Sequence, residues 1–469
     1  MLIGITLIIR ITMSIGIARA NLNSNPLIFL LNFVLEKQKI MIIEDKGKLG
    51  EDFVNTLAYR SFLKYWCFPG PKYENGDKKE ICDLLIIFNS VLIVISVKNY
   101  EFKGNHFRYF NNTIEKAVKQ IHGACRTLFG AAEVQIKHPD REMEIFPREQ
   151  ITKVFRIVIN LGEGVKFYPF NHSTKNDDYV TLFDKDSFET IISQLDTLPD
   201  FIDYLEKREK LFKGRITIIM PGDEYDFPLE TQKEFFALQK QLTQNYILIS
   251  GTEKDLLSHF FKNARNFPPF LNDDSNGIFL QIDGDWDSFS DIQQVKNKAE
   301  ADKASYFIDD FVQNEILKNE YLQNLTPMRL NLAKAMLSFD RLTRRSIAKS
   351  YFEFHNRYKD VSGLNFGRRF GDYDGVGVLF TFYTDQMDME MINTLNTLAI
   401  ESVNLFTGYK SKSLILISSN RSHRFLFAHI DKIEKYEPDH EEMIRQDVKR
   451  MGWFTKHTLF QGSENEFPE

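Results

Sequence analysis

The chain has only three cysteines in 469 residues, Cys67, Cys82 and Cys125, and no CxxC spacing among them. A disulfide framework is therefore excluded, the thiols read as small buried hydrophobes, and a reducing, cytoplasmic setting is expected. Excess positive charge is also missing. The net charge is −6, so the protein does not coat nucleic acid through bulk phosphate neutralisation, although a local basic cleft is still allowed. No GxxxxGK[ST] loop occurs, and Gly104, Gly123 and Gly130 are isolated glycines; an energy-using motor would have to be another chain. Internal repeats and low-complexity tracts are absent.

Long apolar runs are lacking too. Residues 1–18 are apolar, but Arg10 interrupts them, and a membrane-spanning helix wants about 20 apolar residues. Ala18-Arg19-Ala20 imitates a signal-cleavage site, yet no positive segment precedes the run. The expectation is that residues 1–40 lie outside the fold, as a disordered extension or as sequence upstream of a true start at Met41, and that no membrane is involved.

What is present is an ordinary globular mixture, 43% hydrophobic and 26% charged, long enough for two domains with separate cores. From residue 46 the pattern alternates helix, strand hairpin, helix, strand, helix, the mark of a mixed α/β unit. The spacing predicts a helix over 49–66, stopped by the Phe-Pro-Gly-Pro stretch at 68–71. Strands are predicted at 81–88 and 91–97 around the turn Asn89-Ser90, then a helix at 113–129 and a strand at 154–161. A helix follows over 187–212 with a break at Pro199. Its charged end suggests a domain boundary at 212/213. Beyond it an α+β domain is expected, with strands at 215–220, 246–250, 377–383, 413–418 and 424–430. Helices there are expected at 230–243, 295–323, 327–358 and 388–405.

Chemistry concentrates on the hairpin. Antiparallel residues joined across a turn at 89 and 90 pair so that their numbers sum to about 179 by strand geometry, which sets Asp83 opposite Ser96. Lys98 then shares that face. An Asp and a Lys in otherwise apolar strands are costly to bury unless they pair with each other or bind something, and both readings stand at this point. Glu80 has the opposite parity to Asp83 and is the weaker acid.

The residues Gly47-Lys48-Leu49-Gly50-Glu51, Ile81-Cys82-Asp83, Ser96-Val97-Lys98 and Lys116 to Gln120 occur in an order that resembles the PD-(D/E)XK, restriction-endonuclease-like nuclease superfamily. The run Lys119 to Ala124 is also similar to a helix in a group of uncharacterised bacterial proteins. The resemblance covers residues 44–212. It implies a nuclease-like α/β domain over 41–212, with a central mixed sheet flanked by helices, followed by an accessory domain over 213–469. It further implies a catalytic set of Glu51, Asp83, Lys98 and Gln120, with Mg²⁺ or Mn²⁺ on Glu51, Asp83 and the Val97 carbonyl. Phosphodiester hydrolysis needs a hard cation and a water delivered in line.

One position departs from the pattern: Ser96 stands where an acid is usual, and Glu51 is expected to compensate. Outside the resemblance, Glu51 also reads as an acid favoured by a helix N-terminus, and Gln120 as a solvated helix residue. The expected partners are nucleic acid, DNA ahead of RNA, with a partner protein of a multi-gene system or a second copy of the chain beside it. An endonuclease in bacterial defence is the functional expectation, and a catalytically inactive nucleic-acid-binding or sensing protein on the same fold is the alternative.

Two further features stand apart. The stretch from Arg341 to Arg369 carries Arg341, Arg344, Arg345, Lys349, Arg357, Lys359, Arg368 and Arg369 against only Glu353 and Asp360. It reads either as a nucleic-acid or partner surface or as a solvated helix face. The acidic segment 283–291 lacks the glycine and final glutamate of an EF-hand loop and reads as a loop.

Overall fold

The apolar strands and amphipathic helices close into two compact units, divided between Val295 and Lys296. The structure, a computed structural model, describes residues 46–469 apart from 102, 104, 131–132, 163–167, 170, 174–177, 221–245, 269–277, 318–326, 423 and 455–463. The segment 1–40 and the helix expected at 230–243 fall outside the described residues. Among those described, no helix is long and apolar enough to cross a membrane.

The first unit opens with α1 (Lys46–Arg60), which buries Phe53, Leu57 and Ala58. It ends well before Trp66. The Ser61 hydroxyl donates back to the Leu57 carbonyl and accepts from the Leu63 amide, and such local bonds compete with the helical ladder. Strands β1 (Cys67–Pro69), β2 (Leu84–Phe88) and β3 (Val91–Lys98) pair antiparallel in sequence. The hairpin register holds as expected, with Leu84 opposite Ile95 and Phe88 opposite Val91. Asn89 takes the left-handed conformation at the turn, φ 52°, which asparagine tolerates.

A π-helical stretch, Phe110–Glu115, leads into α2 (Lys116–Gly130), whose buried face is Ala117, Val118, Ile121, Ala124 and Leu128. These residues pack with Leu85, Leu92 and Val94 of the hairpin in one core. A small hairpin follows, β4 (Gln135–Lys137) and β5 (Met143–Ile145). Strand β6 (Lys153–Asn160) then runs parallel to both β3 and β9 (Tyr179–Asp184). With β7 (Tyr168–Pro169) assigned elsewhere and β8 (Asn171–Ser173) at the edge, the six-stranded sheet has the order β1-β2-β3-β6-β9-β8.

The predicted helix 187–212 is two helices, α3 (Lys185–Gln194) and α4 (Leu198–Phe212). The break precedes Pro199 instead of falling on it, because Thr197 caps α4 and proline is tolerated in a first helical turn. A second sheet has the order β12-β11-β10-β7, with β10 (Ile216–Met220), β11 (Tyr246–Ser250) and β12 (Ile278–Gln281) parallel. The boundary expected at 212/213 lies inside this unit: Leu211 and Phe212 pack with Ile247, Ile249, Leu256 and Leu280. Helix α5 (Glu253–Lys262) follows β11 behind a capping box on Thr252 and Asp255. The acidic segment expected to be a loop contains a short helix, α6 (Asp285–Ser290).

Helix α7 (Gln293–Asp302) crosses the division. In the second unit the two long helices expected at 295–323 and 327–358 are broken into shorter ones. These are α8 (Tyr306–Phe311), continued by a π-helical stretch, α9 (Pro327–Leu337) and α10 (Arg341–Tyr358). Asp340 accepts from the Thr343 amide at 2.7 Å and starts α10 afresh. A four-stranded sheet follows in the order β13-β14-β15-β16, formed by Phe366–Tyr373, Val376–Tyr383, Ser413–Ser419 and Phe425–Ile430. Its middle pair is parallel, joined through α11 (Met389–Phe406), and α12 (Pro438–Arg450) packs against α11's end.

The arginine-rich stretch is not an open surface at its start. Arg341 and Arg344 are buried and both bond Asp309 at 2.6 Å, while buried Arg345 bonds Asp302 at 3.2 Å. Buried charges persist when paired, so these cations hold α10 to the preceding helices.

Candidate functional site

Asp83 is the residue just before β2, and Ser96, Val97 and Lys98 end β3, so the hairpin register itself brings them together. One carboxylate oxygen, Asp83 Oδ2, collects three partners. The Ser96 hydroxyl donates to it at 2.9 Å, the Val97 amide donates at 2.7 Å, and the Lys98 ammonium lies 3.9 Å away. Among the described residues no hydrogen bond or ion pair falls on Oδ1. Ser96 is 2% exposed, whereas the Asp83 side chain keeps 34% and Lys98 19%. The bland alternative, a sealed ion pair, therefore does not describe this contact; the Asp83 carboxylate is still reachable from solvent.

Gln120 comes to the same place from α2, with Oε1 3.5 Å from Ser96 Oγ. A hydroxyl has a single proton, and the shorter bond to Asp83 takes it. Gln120 is otherwise exposed. Glu51 is exposed on α1 and is not among the residues lining the recess beside Asp83.

That recess, about 820 Å³, is bounded by the loop before β2 and by α2, with Asp83, Ser96 and Gln120 in its wall. Glu80 lines it as well. The parity that set Glu80 aside does not apply, because β2 begins only at Leu84 and Glu80 belongs to an isolated bridge with Lys72. Loss of solvent around the Glu80 carboxyl pushes its pKa up, and the Asp83 charge adds to this, against the opposing charges of Lys72 and Lys98. The signal available in the sequence was only proximity, three residues from Asp83. Cys82 also lines the recess, and burial raises its thiol well above the ordinary range, which disfavours the thiolate. Gly123 faces the recess from within α2, although a helical glycine costs about 1 kcal/mol relative to alanine.

Among the described residues no group of three or more His, Cys, Asp and Glu could hold a metal ion. A magnesium ion asks for less, one or two carboxylates with waters and substrate oxygens completing the shell. Asp83, with Oδ1 open, and Glu80 lie in the same wall. Ser96, neutral and already committed to Asp83, adds no charge.

No protein-family model and no curated protein matches the chain.

Proposed function

We propose that the first unit is a metal-dependent phosphodiesterase of the PD-(D/E)XK kind, an endonuclease on DNA or RNA working in the bacterial cytoplasm, in defence against foreign nucleic acid. The observation that carries this reading is the single carboxylate of Asp83, fixed by Ser96 and the Val97 amide at the end of an apolar hairpin with Lys98 beside it. The order of elements supports it as well: a leading helix, three antiparallel strands, a helix and a strand parallel to the third.

In this reading Asp83, with Glu80 or Glu51 and the Val97 carbonyl, would hold Mg²⁺ or Mn²⁺, which when bound supplies charge neutralisation on the scissile phosphate. Lys98 donates to the attacking water or to the charge developing on phosphate. Ser96 and the Val97 amide keep the Asp83 carboxylate in one orientation, so no reorganisation is needed when substrate arrives. Gln120, exposed beside them, contacts substrate.

A second reading, a nuclease-fold protein that binds or senses nucleic acid without cutting it, is favoured by one observation. Ser96 stands where the second acid is usual, and Glu51 is exposed and does not line the recess. The deciding experiment is cleavage of single- and double-stranded DNA and RNA by the full chain with Mg²⁺ or Mn²⁺, beside folded Asp83→Ala and Lys98→Ala variants. Hydrolysis lost in both variants is expected. Hydrolysis that survives both would remove Asp83 and Lys98 as its source, and none in any protein would leave the binding reading.

A further inference from the structure

We propose that the recess beside Asp83 is a binding site for one nucleotide of an unpaired strand, kept open by Gly123; this deepens the nuclease reading and rests on it for the identity of the substrate. The recess, about 820 Å³, falls in the range of roughly 300–1,000 Å³ typical of sites for small ligands. Its wall is chemically two-sided. Half-buried Tyr73 gives an aromatic side with buried Ile121 and Ala124, and Asp77, Lys79, Glu80, Asp83, Gln120 and Arg126 give a polar, charged one. A nucleotide has the same division, a flat base and a charged phosphate.

The glycine is the telling residue. Gly123 sits inside α2 with nothing within 4 Å of the position a Cβ would take, so no neighbour demands its smallness. Glycine is a poor helix former, and the space over it is the recess itself. Any larger side chain there would project into that space.

The loop that carries Tyr73 is tied together by its own backbone. The Tyr73 amide donates to the Lys79 carbonyl at 3.0 Å, and the Tyr73 carbonyl accepts from the Gly76 and Lys78 amides at 3.1 Å each. A Cβ on Gly76 would lie 2.3 Å from the Tyr73 ring, so the loop closes on the ring only with glycine there. Aromatic faces of this kind stack on bases without regard to sequence. Arg126 is exposed on α2 at the mouth and makes no hydrogen bond or ion pair among the described residues. A free guanidinium in the lining of the same recess suits a phosphate.

The test is binding of a fluorescein-labelled 12-nucleotide oligo-dT, and of its duplex with oligo-dA, to the full chain in EDTA, read by anisotropy. Wild type is expected to prefer the single strand. Gly123→Leu is expected to weaken that binding at least tenfold without lowering the melting temperature, because the substitution meets no neighbour. Arg126→Ala should weaken it several-fold and lower the salt slope by about one. Gly130→Leu, an equally unobstructed glycine at the exposed end of α2, should bind as wild type does.

Gly123→Leu protein that binds the single strand as wild type does overturns the proposal, as does a wild type that prefers the duplex. If wild type hydrolyses nucleic acid with Mn²⁺ while Gly123→Leu neither loses binding nor slows, the recess fails and the nuclease reading survives. If nothing is hydrolysed and Gly123→Leu still abolishes binding, the recess stands and the nuclease reading fails.

Discussion

Arg208 and Glu253 form a bidentate pair with side chains 0% and 3% exposed, at 2.7 and 2.9 Å. The Tyr204 hydroxyl donates to Glu253 at 2.6 Å, and Arg208 donates to the Tyr179 hydroxyl at 2.8 Å. Burial opposes the charge on Arg208, and Glu253 more than offsets this, so the guanidinium is held above its ordinary range. The pair joins α4 to α5, across the position where a boundary at 212/213 was expected.

Glu253→Gln leaves the arginine buried without a counter-charge. Breaking such a pair costs about 3–5 kcal/mol, and Arg208→Met should cost a similar amount by stranding the carboxylate. The double variant should fall well short of the sum, since neither charge is then left alone. Amide exchange of β11 under increasing urea reads this unit separately from the second. Single variants costing less than about 1 kcal/mol, or costs that simply add, would refute a dry, mutually dependent pair. The same packing predicts that a chain ended at Phe212 does not fold stably, because Leu211, Phe212 and Arg208 lose their partners.

Three other expectations follow from the site and its surroundings. Glu80→Gln should weaken Mn²⁺ binding, measured by calorimetry, about tenfold while Glu51→Gln changes it less than twofold; the reverse ranking would return the second acid to α1. Ser96→Asp should lower the melting temperature without metal, since its carboxylate would meet Asp83 where Ser96 Oγ is now 2.9 Å away. Added Mn²⁺ should restore it, by about 2.7 kcal/mol at a hundredfold excess over Kd; no metal-dependent recovery would count against a cation at Asp83. Burial, and then the charge of Arg141, push buried His138 down to about 4 from 6.5. The unfolded chain therefore takes up the proton first, so stability present above pH 6.5 is lost as pH falls towards 4, by about 3 kcal/mol in all. His138→Gln should flatten that part of the pH–stability curve, and an unchanged slope would show that His138 titrates normally.

The hairpin with its register, the helix after it and the strand at 154–161 were legible in the residues, because alternation and turn length are local and act through backbone geometry; the short strands such as β1, β9 and β12 and the helix α6 were not. Gln120 could be set on the correct helix for the same reason. The Glu80 expectation failed on its premise: parity holds only inside a strand, and β2 starts at Leu84. Gly123 was visible as an isolated glycine, but its reason is an open space between elements that no local pattern records.

The buried arginines show where local pattern runs out. Composition marked Arg341, Arg344 and Arg345 as a charged cluster, but their partners Asp302 and Asp309 stand more than 30 residues away. The division of the chain after Val295 has the same character, since Arg208 and Phe212 look like a charged helix end until Glu253 and Ile247 pack on them. The sequence by itself determined what each segment can form, through periodicity and steric preference. Only the tertiary structure decided which acids share a wall with Asp83, which charges leave water and which segments belong to one core, because those outcomes depend on burial, and burial is a property of distant residues brought together.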